Sequence, residues 1–193
     1  MSLVQIQPPQ PQFNFKTKLC YIEKMKRSNL FYSVWAIFNN KQQKQLEKLK
    51  KKINITLTGP YFPIHMTISA GFSGKEKDLI NKMKSTLNRL DRFFIEIDNY
   101  DYKNTFFQSL YIKVKKNNEL VLQKKIIDNL FDCQTRFFFP HISLYYGYKN
   151  YIAKKKIISN LPKLKKIIKI TSLCLAINDE KKLKWKIIKK FLI

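Results

Sequence analysis

Two periods run through the hydrophobic positions of this chain, and they alternate in blocks. FYSVWAIF (Phe31 to Phe38) is an aromatic and β-branched run that predicts a strand, and KQQKQLEKLKKKI (Lys41 to Ile53), rich in helix formers, predicts a helix. TGPYFP breaks regular structure with Gly59, Pro60 and Pro63 before the short apolar strand IHMTISAG. Leu79, Ile80, Met83, Leu87 and Leu90 then recur at helical spacing, and FFIEIDNYDY alternates as a strand. The order repeats: TFFQSLYIKV (Thr105 to Val114) reads as a strand, NELVLQKKIIDNLF (Asn118 to Phe131) as an amphipathic helix, and FFPHISLYYG as a second short apolar strand. A lysine-rich helix over about Tyr151 to Asn160, one strand around IIKITSLCLAI, and a closing strand KWKIIKKFLI complete the prediction.

The repeat of order predicts a duplicated architecture, with lobe one at about residues 31–104 and lobe two at about 105–193. An arm of residues 1–30, containing Pro and Gln, precedes both and reads as extended or disordered. Trp35 lies 30 positions before His65, and Phe107 lies 34 before His141, which makes Trp35 and Phe107 counterparts by spacing. Those histidines are the only two in the chain, and each occupies the same small pattern: a proline just before, and a hydroxyl two residues later. Alternation puts His65, Thr67 and Ser69 on one strand face, and likewise His141, Ser143 and Tyr145. Two lobes related by an approximate twofold axis would turn both faces toward one cleft.

Two imidazoles and two hydroxyls in that arrangement suit a phosphodiester. One neutral histidine can take a proton from water, the other can give one to the leaving oxygen, and the hydroxyls can hydrogen-bond the non-bridging phosphate oxygens. Such a site needs no metal or cofactor. No third histidine, cysteine pair or acidic cluster supplies a usual metal ligand set.

The net charge of +25 would attract phosphate-bearing ligands, although all basic residues except Arg27, Arg89, Arg92 and Arg136 are lysine, and abundant Lys, Ile and Asn also fit an AT-rich coding sequence. Cys20, Cys133 and Cys174 are odd in number and lack metal spacing, which fits a reducing compartment. No apolar run approaches a membrane span, and the N-terminal stretch resembles neither a secretory signal nor a transit peptide, so a cytoplasmic monomer is expected.

The motifs His65-Met66-Thr67 and His141-Ile142-Ser143 resemble those of the two-histidine (2H) phosphoesterase superfamily. The succession YSVWAIF, PIHMTIS, FFQSLYIKV, CQTRFFFPHISLYYG and LCLAINDEKKLKWKII resembles its plant and fungal cyclic phosphodiesterase branch, from about Phe31 to the last residue. The resemblance implies a bilobal α+β fold, with antiparallel sheets lining a central cleft and helices outside. It implies that His65 and His141 are the acid and base pair and that Thr67 and Ser143 bind the phosphate; the two motifs have the same form and leave the roles interchangeable, and the resemblance favours His141 at the water and His65 at the leaving oxygen. Trp35, Phe107 and Tyr146 would line a nucleotide pocket, although alternation favours Tyr145 over Tyr146. The implied substrates are nucleoside 2′,3′-cyclic phosphates, opened to the 2′-phosphate, or ADP-ribose 1″,2″-cyclic phosphate, a by-product of tRNA splicing. Other branches act on 2′-5′ oligoadenylates, RNA cyclic ends or cyclic signalling oligonucleotides. A separate reading is a non-catalytic basic RNA-binding module, with Tyr100, Tyr102 and Phe106 stacking on bases.

Overall fold

The structure is a computed structural model that describes residues 30–133, 137–164 and 166–193. Most of the expected arm, residues 1–29, and Cys20 with it, lie outside the described residues. Among the described residues, eight strands and four α-helices follow one another as β1 (Leu30–Ile37), α1 (Asn40–Leu57), β2 (Met66–Phe72), α2 (Glu76–Thr86), β3 (Phe93–Tyr102), β4 (Leu110–Lys115), α3 (Asn118–Phe131), β5 (His141–Tyr145), α4 (Tyr151–Ser159), β6 (Ile167–Ile170), β7 (Ser172–Asp179) and β8 (Lys184–Leu192). The fold is α+β, as expected. Three of the helices start on asparagine: Asn39, Asn117 and Asn150 each accept a hydrogen bond from a backbone N–H three residues on, which satisfies one orphan donor of the first turn. No described helix is long and apolar enough to cross a membrane.

All strands join one curled, antiparallel sheet in the order β6-β3-β4-β5-β2-β1-β7-β8. Its halves meet where β2 pairs with β5, through the single register pair Met66 and Ile142. Four strands lie on either side of that seam, but they are not contiguous in sequence. β3 pairs with β4 and β6, and β7 pairs with β1 and β8, so the expected division near residue 104 does not divide the sheet. IIKITSLCLAI forms two strands rather than one: the chain leaves β6 at one edge, passes Thr171, and enters β7 in the opposite half. Alternation cannot register this break, because each piece pairs correctly with a different partner.

The helices cover one face of the sheet. Leu46, Leu49, Ile53 and Leu57 of α1, Leu79 and Met83 of α2, and Leu120, Ile127 and Phe131 of α3 bury their side chains with Met66, Ile68, Ile112, Ile142 and Leu144 in one continuous core. The helices cross over the seam. α1 follows β1 but packs on β5, and α3 follows β4 but packs on β2, so each half supplies the cover for the other half's central strand. The opposite face carries the histidines.

β5 ends abruptly. Gly147 has φ +143, a conformation that glycine adopts without strain, and a Cβ there would come within 2.2 Å of the Tyr145 hydroxyl. Gly59, arriving from α1, is equally confined: its Cβ would lie 2.6 Å from the Tyr146 carbonyl oxygen. Gly147→Ala therefore should destabilise the protein by roughly 1–3 kcal/mol, through backbone strain and overpacking against Tyr145. Urea unfolding followed by circular dichroism measures this, and a change within ±0.5 kcal/mol would contradict it.

Candidate active site

The Met66 and Ile142 register builds the site. These are the middle residues of the two motifs, and in an antiparallel pair the register sets His65 opposite Ser143 and Thr67 opposite His141. Directly opposite residues have Cβ atoms about 5 Å apart. Met66 and Ile142 turn into the core, so their four neighbours turn to the other face. Each imidazole thus has the other motif's hydroxyl across the seam.

Both rings are held the same way. His65 Nδ1 lies 2.7 Å from the Pro63 carbonyl oxygen and His141 Nδ1 lies 2.8 Å from that of Phe139, two residues upstream in each case. A carbonyl only accepts, so Nδ1 carries the proton and Nε2 is the free nitrogen. The aromatic neighbours differ. Trp35 stacks face to face on His65, with centroids 3.6 Å apart and planes inclined by 12°. Tyr111 meets His141 edge-on at 5.4 Å, and its hydroxyl donates to Asp101 Oδ2 at 3.1 Å.

Trp35 pairs with Thr67, and Tyr111 pairs with Ser143. The counterpart of Trp35 is therefore Tyr111, which precedes its histidine by the same 30 positions, and not Phe107. The sequence predicts a strand beginning at Thr105, but β4 begins at Leu110 and Phe107 sits in the preceding loop. Trp35 is only 1% exposed, with Cys174 and Ala176 in the same small cluster, so it backs His65 instead of offering an open platform.

Tyr146, not Tyr145, turns to the site. A register shift between Leu110 and Tyr111 places one step of β4 against two of β5, which reverses the alternation after Ser143. Tyr145 consequently joins the core, whereas Tyr146 lies outside it, among Phe62, Phe107 and Trp185. The Tyr146 ring stacks on Phe62 at 3.8 Å and stands edge-on to Phe107 at 5.3 Å, with Trp185 5.4 Å away. Ser143 Oγ also lies 3.4 Å from the Phe107 carbonyl oxygen. Of the three aromatics expected to serve an RNA-binding module, only Phe106 reaches this cluster; Tyr100 donates to the Pro162 carbonyl and packs against the core beneath the helices.

Sequence reasoning missed Phe62, Tyr111, Trp185, Lys50 and Lys103. The 30-residue spacing could have found Tyr111, and Trp185 alternates with Ile187 in β8 beside Trp35. Lys50 is buried on α1, donates to the Phe62 carbonyl, and lies 3.8 Å from the centre of the Phe62 ring. Burial lowers its pKa to about 8, against the partial opposition of Glu47. Lys103 lies 4.2 Å over the Phe139 ring and donates to Gln108 Oε1.

These surroundings favour neutral imidazoles. Burial, opposed by the Pro63 hydrogen bond and reinforced by His141 and Lys50, lowers the pKa of His65 to about 3. Burial likewise lowers that of His141, the Phe139 hydrogen bond opposes it, and Lys103 adds to it. Burial also pushes the Tyr146 phenol up to about 12, with Ser143 opposing, so it stays protonated and available as a donor. No group of three or more His, Cys, Asp or Glu side chains suited to a metal ion occurs among the described residues.

The family model for cyclic phosphodiesterase-like proteins matches residues 23–193, starting somewhat ahead of Phe31. Over 117 residues the chain is 25% identical to a cyclic phosphodiesterase of Arabidopsis thaliana; the match covers 60% of this chain and 65% of that protein, just under two thirds of its length. Among solved structures, E. coli LigT complexed with 3′-AMP aligns with a TM-score of 0.60 at 12% identity, covering 86% of this chain and 99% of LigT. Its apo form gives 0.60 at 14% identity, covering 84% and 96%. At such identities the likeness to LigT is one of fold. The family match over most of the chain, together with the shared fold, establishes that this protein belongs to the cyclic phosphodiesterase-like family of the 2H phosphoesterase superfamily.

Proposed function

We propose that the chain hydrolyses nucleoside 2′,3′-cyclic phosphates to 2′-phosphates, with ADP-ribose 1″,2″-cyclic phosphate as an alternative substrate of the same chemistry. The observation that carries this reading is the seam geometry: two imidazoles with free Nε2 atoms, each across from a hydroxyl, on one face of the sheet. Membership of the family and the cyclic phosphodiesterase relative support the substrate class.

In the proposed reaction His141 takes a proton from water as the water oxygen bonds to phosphorus. The phosphorus to O3′ bond breaks, and protonated His65 gives its Nε2 proton to O3′, leaving the phosphate on O2′. Thr67 and Ser143 donate to the non-bridging oxygens as negative charge builds there. The bound phosphate anion raises both imidazole pKa values, supplying the charge that the apolar surroundings withhold. Trp35 favours the assignment of His65 as acid, because a face-on indole stabilises an imidazolium by about 0.5–2 kcal/mol. Phe107, Tyr146 and Trp185 would hold the base.

Three outcomes are expected with 2′,3′-cyclic AMP. His65→Ala and His141→Ala each lower kcat at least ~10²-fold with unchanged circular dichroism, and EDTA leaves the wild-type rate intact; near-wild-type turnover by either variant sinks the proposal. The product is the 2′-phosphate, identified by chromatography against the 3′ isomer. In the free protein one histidine must hold a proton, and both pKa values lie below the ordinary 6.5, with that of His65 near 3. The kcat/KM maximum therefore falls below pH 6.5, declining toward higher pH as the shared proton is lost, and the kcat maximum lies at higher pH because bound phosphate raises both values. A kcat/KM maximum above pH 7.5 would contradict this account.

A further inference from the structure

The carbonyl that orients His65 lies outside the sheet. Pro63 belongs to the segment that descends from α1 and precedes β2, which begins at Met66, so the strand ladder does not reach it. Two side chains of α1 grip this segment instead. Lys50 Nζ donates to the Phe62 carbonyl, and Gln43 Nε2 donates to the Ile64 carbonyl at 3.2 Å. Gln43 and Lys50 stand two helical turns apart and so share one face of α1. The Gln43 amide gives its other hydrogen to Glu47 Oε1 at 2.8 Å; both partners only accept, which assigns the nitrogen to that side.

The carbonyls on either side of Pro63 thus turn to the helix, and that of Pro63 turns to the His65 ring. A residue before proline is pressed into the extended region, and successive carbonyls of an extended segment point opposite ways, so holding Phe62 and Ile64 leaves Pro63 one direction. Lys50 is seated between two rings, with Nζ 3.8 Å from the centre of Phe62 and 4.6 Å from that of Tyr61. It is 5% exposed, and among the described residues no carboxylate forms an ion pair with it. A buried ammonium set against a backbone carbonyl instead of a carboxylate costs stability. Here it secures the approach to a histidine.

The second motif is held differently. The Pro140 carbonyl, next to His141 as Ile64 is next to His65, accepts from the Val114 N–H of β4 at 3.2 Å. Phe138, three residues before His141, also has a buried lysine over its ring, Lys124 at 5.0 Å, but that lysine pairs with Asp128 at 2.6 Å. The backbone of the sheet therefore supports the His141 approach, and side chains of α1 support that of His65.

We propose that Lys50, together with Gln43, is a positioning residue of the reaction: it fixes the Pro63 carbonyl, which keeps the His65 proton on Nδ1 and leaves Nε2 turned to the reacting phosphate. Both side chains act through Pro63 and not on the substrate. The inference rests on the hydrolytic reading given above, in which Nε2 of His65 serves the leaving oxygen; the partner of one ring nitrogen sets the state of the other.

Long-range nitrogen-15 NMR of the imidazoles at about pH 8, where both rings are neutral, reads the tautomer directly. Wild type is expected to show the Nδ1–H form at both histidines, and its absence at His65 would overturn the proposal. Lys50→Met keeps an unbranched stem in the buried slot. It should give His65 a measurable Nε2–H population, leave His141 unchanged, and lower kcat for 2′,3′-cyclic AMP at least ~10-fold, within the ~10²-fold that a displacement of about 1 Å can cost. Gln43→Leu, at a half-buried position, should move His65 the same way by less, and it decides the matter if Lys50→Met does not fold. A wild-type His65 spectrum in the folded variants overturns the proposal even where kcat falls, because a lysine that only supported the fold would leave the tautomer alone. An equal change at both histidines overturns it too. If the wild-type protein cleaves no cyclic phosphate, the hydrolytic reading fails, and the His65 tautomer still decides whether α1 positions the ring.

Discussion

Everything at the site depends on one cross-strand pair, Met66 against Ile142. The seam between the halves of the sheet is narrow, and that register alone decides that each histidine faces the other motif's hydroxyl. A slip of one residue would turn the histidine of one strand into the core and its apolar residues out, so the buried faces of Met66, Ile68, Ile142 and Leu144 enforce the alignment of the polar ones. The crossing of α1 onto β5 and of α3 onto β2 clamps the seam from behind. Packing on one face thereby sets the chemistry on the other.

The approximate twofold relation holds for the backbone around the two motifs and is broken in the side chains. Pro63 and Phe139 offer equivalent carbonyls, and Trp35 and Tyr111 occupy equivalent register positions, yet one ring lies flat on its histidine and the other stands on edge with an aspartate behind it. Two chemically identical groups acquire different surroundings in this way, which is the requirement for one to act as acid and the other as base. Burial holds both rings toward the neutral form, and a buried lysine near His65 and a second lysine near His141 add to it.

Much of this was visible in the sequence because local signals and the global fold agree. α3 spans the same residues that its apolar spacing marks out, and the two H-x-[ST] motifs announce themselves in a chain with no other histidine. The failures have a common cause. Strand alternation describes a single segment and carries no information about its neighbour, so it could not detect that Ile170 and Ser172 belong to different halves, that a bulge opposite Tyr111 exchanges the roles of Tyr145 and Tyr146, or that Phe107 precedes its strand. Lys50 was equally hidden, since its burial depends on the turn that brings Phe62 over α1.

The one-residue passage through Thr171 sets an order of assembly. β1 and β2 are made well before the strand that must lie beside β1, and before the Cys174 and Ala176 that back Trp35. Until then β1 is an unprotected edge carrying a largely apolar run, and such an edge invites wrong partners. The interleaved halves thus couple completion of the His65 wall to completion of the fold: a nascent chain holding both motifs has no finished site, and acquires one only when β7 closes the half that β1 began.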